Sequence, residues 1–455
     1  MTLSNFSAAF PAFLIRLLLV FPIWLSILLP ITLLSQLVKL LLKPCFGGKK
    51  NKKGNYQEVD EDKDYKAPVL GRKDTGLSGR QYDIVIYGVT GFTGRLAALY
   101  VAKQYGGKSF KWAIAGRRKD ALENIRKELT AIDKDLINLP IIIADSSDAA
   151  SLRTMVLSTN VILTTAGPFA KYGSKVVKYC AQLGTHYCDI TGETDWVREM
   201  VDKYDDAAKT SGACIVNMCG NDCVPWDMAV LACHKFMKEK GEVLTEVNVF
   251  DEFRGSVSGG TIATIFHSLE DRVVYKATLG FDPLLKTTTG NKSALKIKIQ
   301  NQLFLSYNSL YKSFVGPFVM AAVNANVIRR SNVLNSYSDN LTYREHAVYP
   351  SFFAGFVQIL DLIVFATCLM SPPLAYILRE YVLPKPGEGP SEDTMEKSFL
   401  TVNAFGKGDK GSKCKAVFYF PTDPGYKDTA RMLVESGLVL ALQRDKVKVI
   451  YIINF

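Results

Sequence analysis

The chain has 455 residues, of which 48% are hydrophobic, and a formal net charge of +11. That length leaves room for two or three domains and a sizeable core. The positive charge is local: residues 1–80 hold 12 Lys/Arg against 6 Asp/Glu and alone contribute +6. No RNA- or DNA-binding motif and no stripe of basic residues interleaved with aromatics accompanies it, so nucleic acid is not an expected partner. Nine cysteines, an odd count without a CxxC pair, point to a reducing compartment. The four histidines (His186, His234, His267, His346) have no metal-ligand spacing, so no metal is expected.

In chain order, the first feature is apolar. Leu17 to Val38 is a run of 22 uncharged residues, long enough to cross a bilayer. The flank after Lys39 is the more basic one, which puts the remainder of the protein on the cytosolic side. A cleavable secretory signal is the rival, but no basic n-region precedes Arg16 and no small-residue cleavage site is evident. Pro22 and Pro30 leave a kinked or half-inserted hairpin open. Residues 1–45 therefore read as a membrane anchor and 46–80 as a charged, disordered linker. Its lysines at 49, 50, 52 and 53 suit anionic lipid headgroups.

Next comes Asp83 to Gly94, DIVIYGVTGFTG, in which a β-type run meets glycines spaced G-x-x-G-x-x-G. Gly88 lets the chain turn off the strand, Gly91 lets a pyrophosphate approach the backbone, and Gly94 lets the following helix pack on the sheet. The helix start would then offer free N–H groups to phosphate. About 20 residues on, where such folds meet the adenosine ribose, an acidic residue would suit NAD. The second strand instead runs into Gly116-Arg117-Arg118, which suits the 2′-phosphate of NADP.

A helix with Leu122, Ile125 and Leu129 on one face follows, then strands at 141–144 and 161–164. A helix over 173–183, a strand over 186–190, a helix over 195–209 and a strand over 214–218 complete the alternation. Strands alternating with helices predict a doubly wound parallel sheet of Rossmann type, here over 81–228, with ligands beyond the carboxyl ends of its strands. From residue 242 the pattern changes. Thr245 to Phe253 alternates, and a glycine-rich stretch over 255–261 opens a helix. A second α/β domain with a mixed sheet, over 229–350 and 391–430, is expected as the place for substrate contacts.

Phe352 to Leu378 is apolar apart from Asp361, and Pro372-Pro373 breaks any straight helix there. Two readings stand: two short helices forming a hairpin that dips into one leaflet, or a buried core helix, since Asp361 is costly in lipid. Residues 351–390 cover this hairpin and a Pro/Gly loop, and 427–455 a C-terminal helix packing back on the core.

The motifs GVTGFTG (88–94), WAIAGRR (112–118), AGPFAKYG (166–173) and THYCDITGE (185–193) belong together with GNDCVPWD (220–227), SGGT (258–261), LPKPGEGPS (383–391) and DPGY (423–426). This set resembles the saccharopine dehydrogenase-like oxidoreductases over about residues 82–442. The resemblance implies a Rossmann domain plus an α/β substrate domain, and association with membranes or lipid droplets; bacterial relatives act as trans-acting enoyl reductases in glycolipid synthesis. Two departures stand out. The family usually has serine where Cys223 stands, and its members continue past the DPGY helix, so the VKVIYIINF ending reads as a truncated or misannotated terminus.

On this resemblance, Gly88, Thr90, Gly91, Phe92, Thr93 and Gly94 would hold the pyrophosphate of NADPH, and Arg117 with Arg118 its 2′-phosphate. Asp145 would lie by the adenine, with Ala166, Gly167 and Pro168 beside the nicotinamide ribose; NAD is the less favoured cofactor. Tyr172, Tyr187 and Asp189 are the proton-donor candidates, each with an ordinary core or capping role as its alternative. The expected function is an NADP-dependent reductase of a lipid-like substrate at the cytosolic face of the endoplasmic reticulum or a lipid droplet, the mitochondrial membrane being the other location. A homodimer stays open. The alternatives are a non-catalytic lipid-surface protein that keeps a nucleotide site, and saccharopine dehydrogenase itself in lysine metabolism.

Overall fold

The computed structural model describes residues 14–42, 79–221, 223–270, 297–444 and 452–453. The linker expected over 46–80 lies outside these apart from its last two positions. Arg80, the second of them, is pinned: its guanidinium donates to the carbonyls of Val156 (2.7 Å), Thr159 (2.9 Å) and Leu183 (2.7 Å).

The first sheet follows from continuous apolar runs. Strands β1 (Tyr82–Tyr87), β2 (Trp112–Gly116), β3 (Ile141–Ile143), β4 (Thr159–Thr164), β5 (His186–Asp189) and β6 (Ile215–Val216) are all parallel, in the order β3-β2-β1-β4-β5-β6. In β1, Ile84, Val85 and Ile86 are each fully buried, as strands covered on both faces must be. The strand order reverses between β1 and β4, which is where such sheets bind ligands. The strand Ile452–Ile453 adds to the free edge of β6, also parallel.

One face of this sheet is closed from far along the chain. The helix Thr429–Leu442 lies beside the helix Phe92–Gln104, and its Leu433, Val434 and Leu438 join the core under β1 and β4. Tyr100 and Tyr105 hydroxyls both donate to Glu435 Oε1, at 2.8 and 2.6 Å.

The second sheet is mixed. It contains β7 (Leu244–Arg254), β8 (Lys298–Ile299), β9 (Ser306–Asn308), β10 (Ser313–Gly316), β11 (Thr342–Tyr349), β12 (Phe399–Gly408) and β13 (Lys413–Phe420). The order is β13-β12-β7-β11-β10-β9, with β8 also on β11; β7 and β11 are parallel and β12 runs against both β7 and β13. Along β13, Lys413, Lys415, Val417 and Tyr419 are exposed in alternation, the mark of a sheet with one open face. Helices Val224–Glu239 and Ala321–Asn335 cover the other face. The helix Val224–Glu239 passes through position 228 unbroken, and its Trp226, Ala229, Val230 and Cys233 belong to the second core.

The apolar segments are helical from Arg16 to Leu42 and over Phe352–Met370. The second breaks at Pro372, the first residue of a new helix, Pro372–Ile377, which continues as Leu378–Val382. The first arm of the expected hairpin is thus a long helix, not a short one. The core-helix alternative fails: only Gly355, Leu360, Thr367 and Leu369 of that arm are buried.

The second core buries a carboxyl at a cost. Ser331 donates to Asp227 Oδ2 at 2.9 Å, while Oδ1 has no partner among the described residues. Burial pushes the Asp227 pKa up to about 7. In the unfolded chain it titrates near ~3.9, so its contribution to stability is complete below about pH 4 and is lost as pH rises to about 7. Asp227→Asn is therefore expected to flatten the fall in Tm between about pH 4 and pH 7. Thermal denaturation across that range checks it; a variant declining as steeply as the native chain would refute the assignment.

Candidate functional site

The site starts where β1 ends. Gly88 adopts φ +89°, and a Cβ there would lie 2.9 Å from the Ala166 nitrogen. The Gly91 N–H donates to the Gly88 carbonyl at 2.9 Å and closes the turn. Gly91 is the N-cap of the helix Phe92–Gln104, and no side chain caps that end, which leaves its first-turn N–H groups to a ligand. A Cβ on Gly91 would make one tight contact, 3.3 Å to the Gly88 carbonyl, and meet no other atom within 4 Å. Gly94 is the opposite case: its Cβ would sit 2.4 Å from the Gly88 oxygen and 2.6 Å from Thr165 Oγ1. Thr90, Phe92 and Thr93 are half-exposed around the turn.

The loop after β4 lies alongside. Thr165 donates through its N–H to Tyr87 O (3.0 Å) and through its hydroxyl to Gly88 O (3.2 Å). That places Ala166, Gly167 and Pro168 beside the glycine turn. The following short helix is capped by Glu193, whose carboxylate accepts from the N–H groups of Phe169 (2.8 Å) and Ala170 (2.9 Å). Thr165 did not stand out in the sequence, although it adjoins a quoted motif; Glu193 closes the THYCDITGE motif, in a loop expected beyond a strand end, and its capping role was not foreseen.

At the adenosine end, Arg117 and Arg118 follow β2 and are exposed. Neither guanidinium makes a hydrogen bond or ion pair among the described residues, so both are available to an anion. Asp145 lies close enough for its charge to be felt by Arg117. Its carboxyl is held below the usual range, first by the Ser147 N–H (2.8 Å) and then by the Ser147 hydroxyl (2.7 Å). Tyr87, at the same corner, is pushed up to about 12 by burial and then by Asp145.

The three donor candidates part company. Tyr172 is half-exposed at the end of the short helix Phe169–Tyr172, with the Lys171 ammonium 5.2 Å from its ring centre. Tyr187 and Asp189 are fully buried and bond to each other, the tyrosine hydroxyl donating to Asp189 Oδ2 at 2.9 Å. Asp189 also accepts from Asn217 Nδ2 (2.7 Å), Met218 N (2.9 Å) and Thr191 N (3.1 Å). It ties the ends of β5 and β6 together; burial lifts its pKa to about 6 despite those four donors. The expectation that these two donate protons to a ligand is corrected here: a phenol and carboxyl with no exposed surface, committed to each other, hold the fold.

The second domain supplies a roof. A Cβ on Gly389 would lie 2.6 Å from the Phe92 ring, and that ring meets the Tyr426 ring edge-on at 5.4 Å. Tyr426 accepts from the Ser258 N–H and shares a hydrogen bond with Thr261 Oγ1 at 2.9 Å. Asp423 caps that turn at the N–H of Tyr426 and Lys427. Gly259 N donates to Glu388 O at 3.0 Å, and a Cβ there would collide with the Lys385 carbonyl at 1.9 Å. Four motifs far apart in sequence, GFTG, SGGT, PGEG and DPGY, thus meet at one place.

Comparison with known proteins agrees with this geometry. Residues 84–216 match the family described as saccharopine dehydrogenase NADP binding domain. The trans-acting enoyl reductase of Mycobacterium tuberculosis is 32% identical over 391 residues, covering 81% of this chain and 90% of the relative. A second protein of that organism, provisionally named for the same activity, is 33% identical over the same length and coverage. The chain belongs to the saccharopine dehydrogenase-like oxidoreductase family. A solved apo saccharopine dehydrogenase (L-Glu forming) from Saccharomyces cerevisiae is similar over 80% of this chain and 90% of that one. At 10% identity and a TM-score of 0.42 that likeness carries no weight.

As a member of this family, the protein is an NAD(P)-dependent oxidoreductase whose NADP-binding domain is the parallel sheet. Its residues fit the cofactor: an uncapped helix start, a Cβ-free approach at Gly91, and two unpaired guanidiniums where a 2′-phosphate would lie. The two inner glycines should behave differently. Gly94→Ala forces backbone apart and is expected to lower Tm and abolish binding together. Gly91→Ala is expected to leave Tm near the native value while weakening NADPH at least about tenfold, since the methyl occupies ligand space. Thermal denaturation with fluorescence titration of NADPH separates the two; a Gly91→Ala chain that binds normally would contradict the cradle.

Proposed function

We propose that the protein is an NADPH-dependent reductase of a lipid-like, unsaturated acyl substrate, working at the cytosolic face of a membrane. The observation that carries this is the turn at Gly88–Gly94 with Arg117 and Arg118 beside it, in a chain whose relatives are named enoyl reductases. When bound there, NADPH would supply the hydride for one carbon of a double bond, the other carbon taking a proton from a donor held by the protein. The chain's part is to orient and to exclude water. The uncapped helix start would hold the pyrophosphate, the two arginines the 2′-phosphate, and the loop 166–168 would border the nicotinamide side. Phe92, Gly389 and Tyr426 close one side of the cradle by packing on one another. Tyr172 is the remaining donor candidate, half-exposed at the correct end of the sheet.

The membrane part of the reading rests on the two apolar helices, Arg16–Ser35 and Phe352–Met370, each long enough to enter a bilayer and with few residues fully buried by protein. A lipid-like substrate follows from that location, because such molecules reach an enzyme through the membrane and not through water.

The preference for the phosphorylated cofactor is tested at the arginines. Each guanidinium–phosphate bond contributes about 1.5–3 kcal/mol. Arg117→Ala and Arg118→Ala are each expected to weaken NADPH by roughly tenfold or more while leaving NADH affinity unchanged. Calorimetric titration of both cofactors reads this directly. Equal losses for NADPH and NADH, or none for either, would sink the assignment. Consumption of NADPH with a medium-chain enoyl thioester, lost in Gly91→Ala, tests catalysis itself.

A further inference from the structure

The two apolar helices are bonded to each other. Arg16 grips Asp361 with both ends of its fork, Nε to Oδ1 at 3.2 Å and Nη2 to Oδ2 at 3.1 Å. Trp24 Nε1 donates to Thr367 Oγ1 at 3.0 Å, and the Thr32 hydroxyl donates to the Thr367 carbonyl at 3.3 Å. Arg16 and Trp24 meet Asp361 and Thr367 in the same order, so the helices run in the same sense and cross near Thr367, which Thr32 also reaches. A cleaved leader would have no reason to match residue 361, and a core helix would not stay bare. The outward surface is instead mainly apolar, with Leu18, Leu19, Leu33, Leu34, Leu362 and Ile363 exposed and Ser26 and Gln358 among its few uncharged polar side chains.

That shared direction limits how the pair can sit in lipid. If the first helix crossed a bilayer from the domain side, residues 43–78 would have to recross it, and they form a charged stretch without an apolar run. The second helix leaves the domain at Phe352, and the chain is back against Phe92 by Gly389. Its return arm, Pro372–Val382, is 11 residues, so about 16 Å of helix against a hydrocarbon core of about 30 Å. Neither helix can cross and come home.

We propose that residues 16–42 and 352–382 form one module embedded in a single phospholipid leaflet, with Arg16 and Asp361 neutralising each other inside it. The proposal rests on the membrane part of the function given above and specifies its topology. In water an exposed ion pair of this kind contributes almost nothing. In hydrocarbon an unpaired charge is expelled, so there the same pair decides whether the module inserts.

The test uses the full chain synthesised with microsomal vesicles and washed at alkaline pH. Arg16→Asp and Asp361→Arg are each expected to cut the retained fraction about tenfold, and the double exchange to restore it. NADPH binding, unchanged in all three, reports that the domain is folded. On the native chain, Cys45 just beyond the first helix is expected to react with a membrane-impermeant maleimide added outside, with Cys45→Ser as the blank. A native chain that washes off overturns both the membrane reading and this proposal. Retention with single variants unaffected, or a double exchange that stays off, overturns the pairing alone. A Cys45 protected until detergent is added overturns the single-leaflet placement.

Discussion

A Cβ at position 94 would lie 2.4 Å from the carbonyl oxygen of Gly88, and no rotamer could relieve a clash with backbone. This close approach of the helix Phe92–Gln104 to the end of β1 sets the rest of the site. It aims the helix start at the point where the strand order reverses, so the N–H groups and the helix dipole converge on one position. It lets the Thr165 hydroxyl reach Gly88 O at 3.2 Å, which fixes the loop after β4 against the same turn. It also brings Phe92 out under Gly389 and Tyr426, where the second domain closes over. One backbone contact therefore positions the phosphate cradle, its wall and its roof.

The fold was largely legible in the chain because its signals are local. The glycine spacing 88–91–94, the buried apolar runs of β1 and β4, and the strand–helix alternation each depend on near neighbours, and the parallel sheet follows from them. The alternation of Thr245 to Phe253 likewise marked the second, mixed sheet. What could not be read depends on separation or on depth. In HYCD (186–189) every residue is buried, so sequence gives no hint that Tyr187 and Asp189 face each other instead of a ligand. The roof joins residues 92, 259, 389 and 426, and Arg16 meets Asp361 across 345 positions; no pattern along the chain pairs them. The boundary near 228 falls inside a helix whose apolar face belongs to the second core, a matter of packing that periodicity alone does not assign.

The apolar module and the cofactor site are also neighbours in the chain. Phe352–Met370 and its return arm feed into the loop that lies against Gly259 and Phe92. The return arm of this apolar segment thus leads directly to the wall of the cofactor cradle. The short return arm keeps the distance small. The second sheet touches the apolar helix at β10, where the Phe314 and Phe352 rings lie 6.0 Å apart, and serves as the frame from which this loop and the DPGY turn project.

The claim that a phosphorylated dinucleotide belongs in this cradle is tested most directly without chemistry, by calorimetric titration of the native chain with 2′,5′-ADP and with 5′-AMP. The two ligands differ only in the group that Arg117 and Arg118 are placed to meet. The account predicts that 2′,5′-ADP binds at least about tenfold more tightly, the contribution of one charge-assisted bond or more. Equal affinity for the two, or no binding of either, would contradict it.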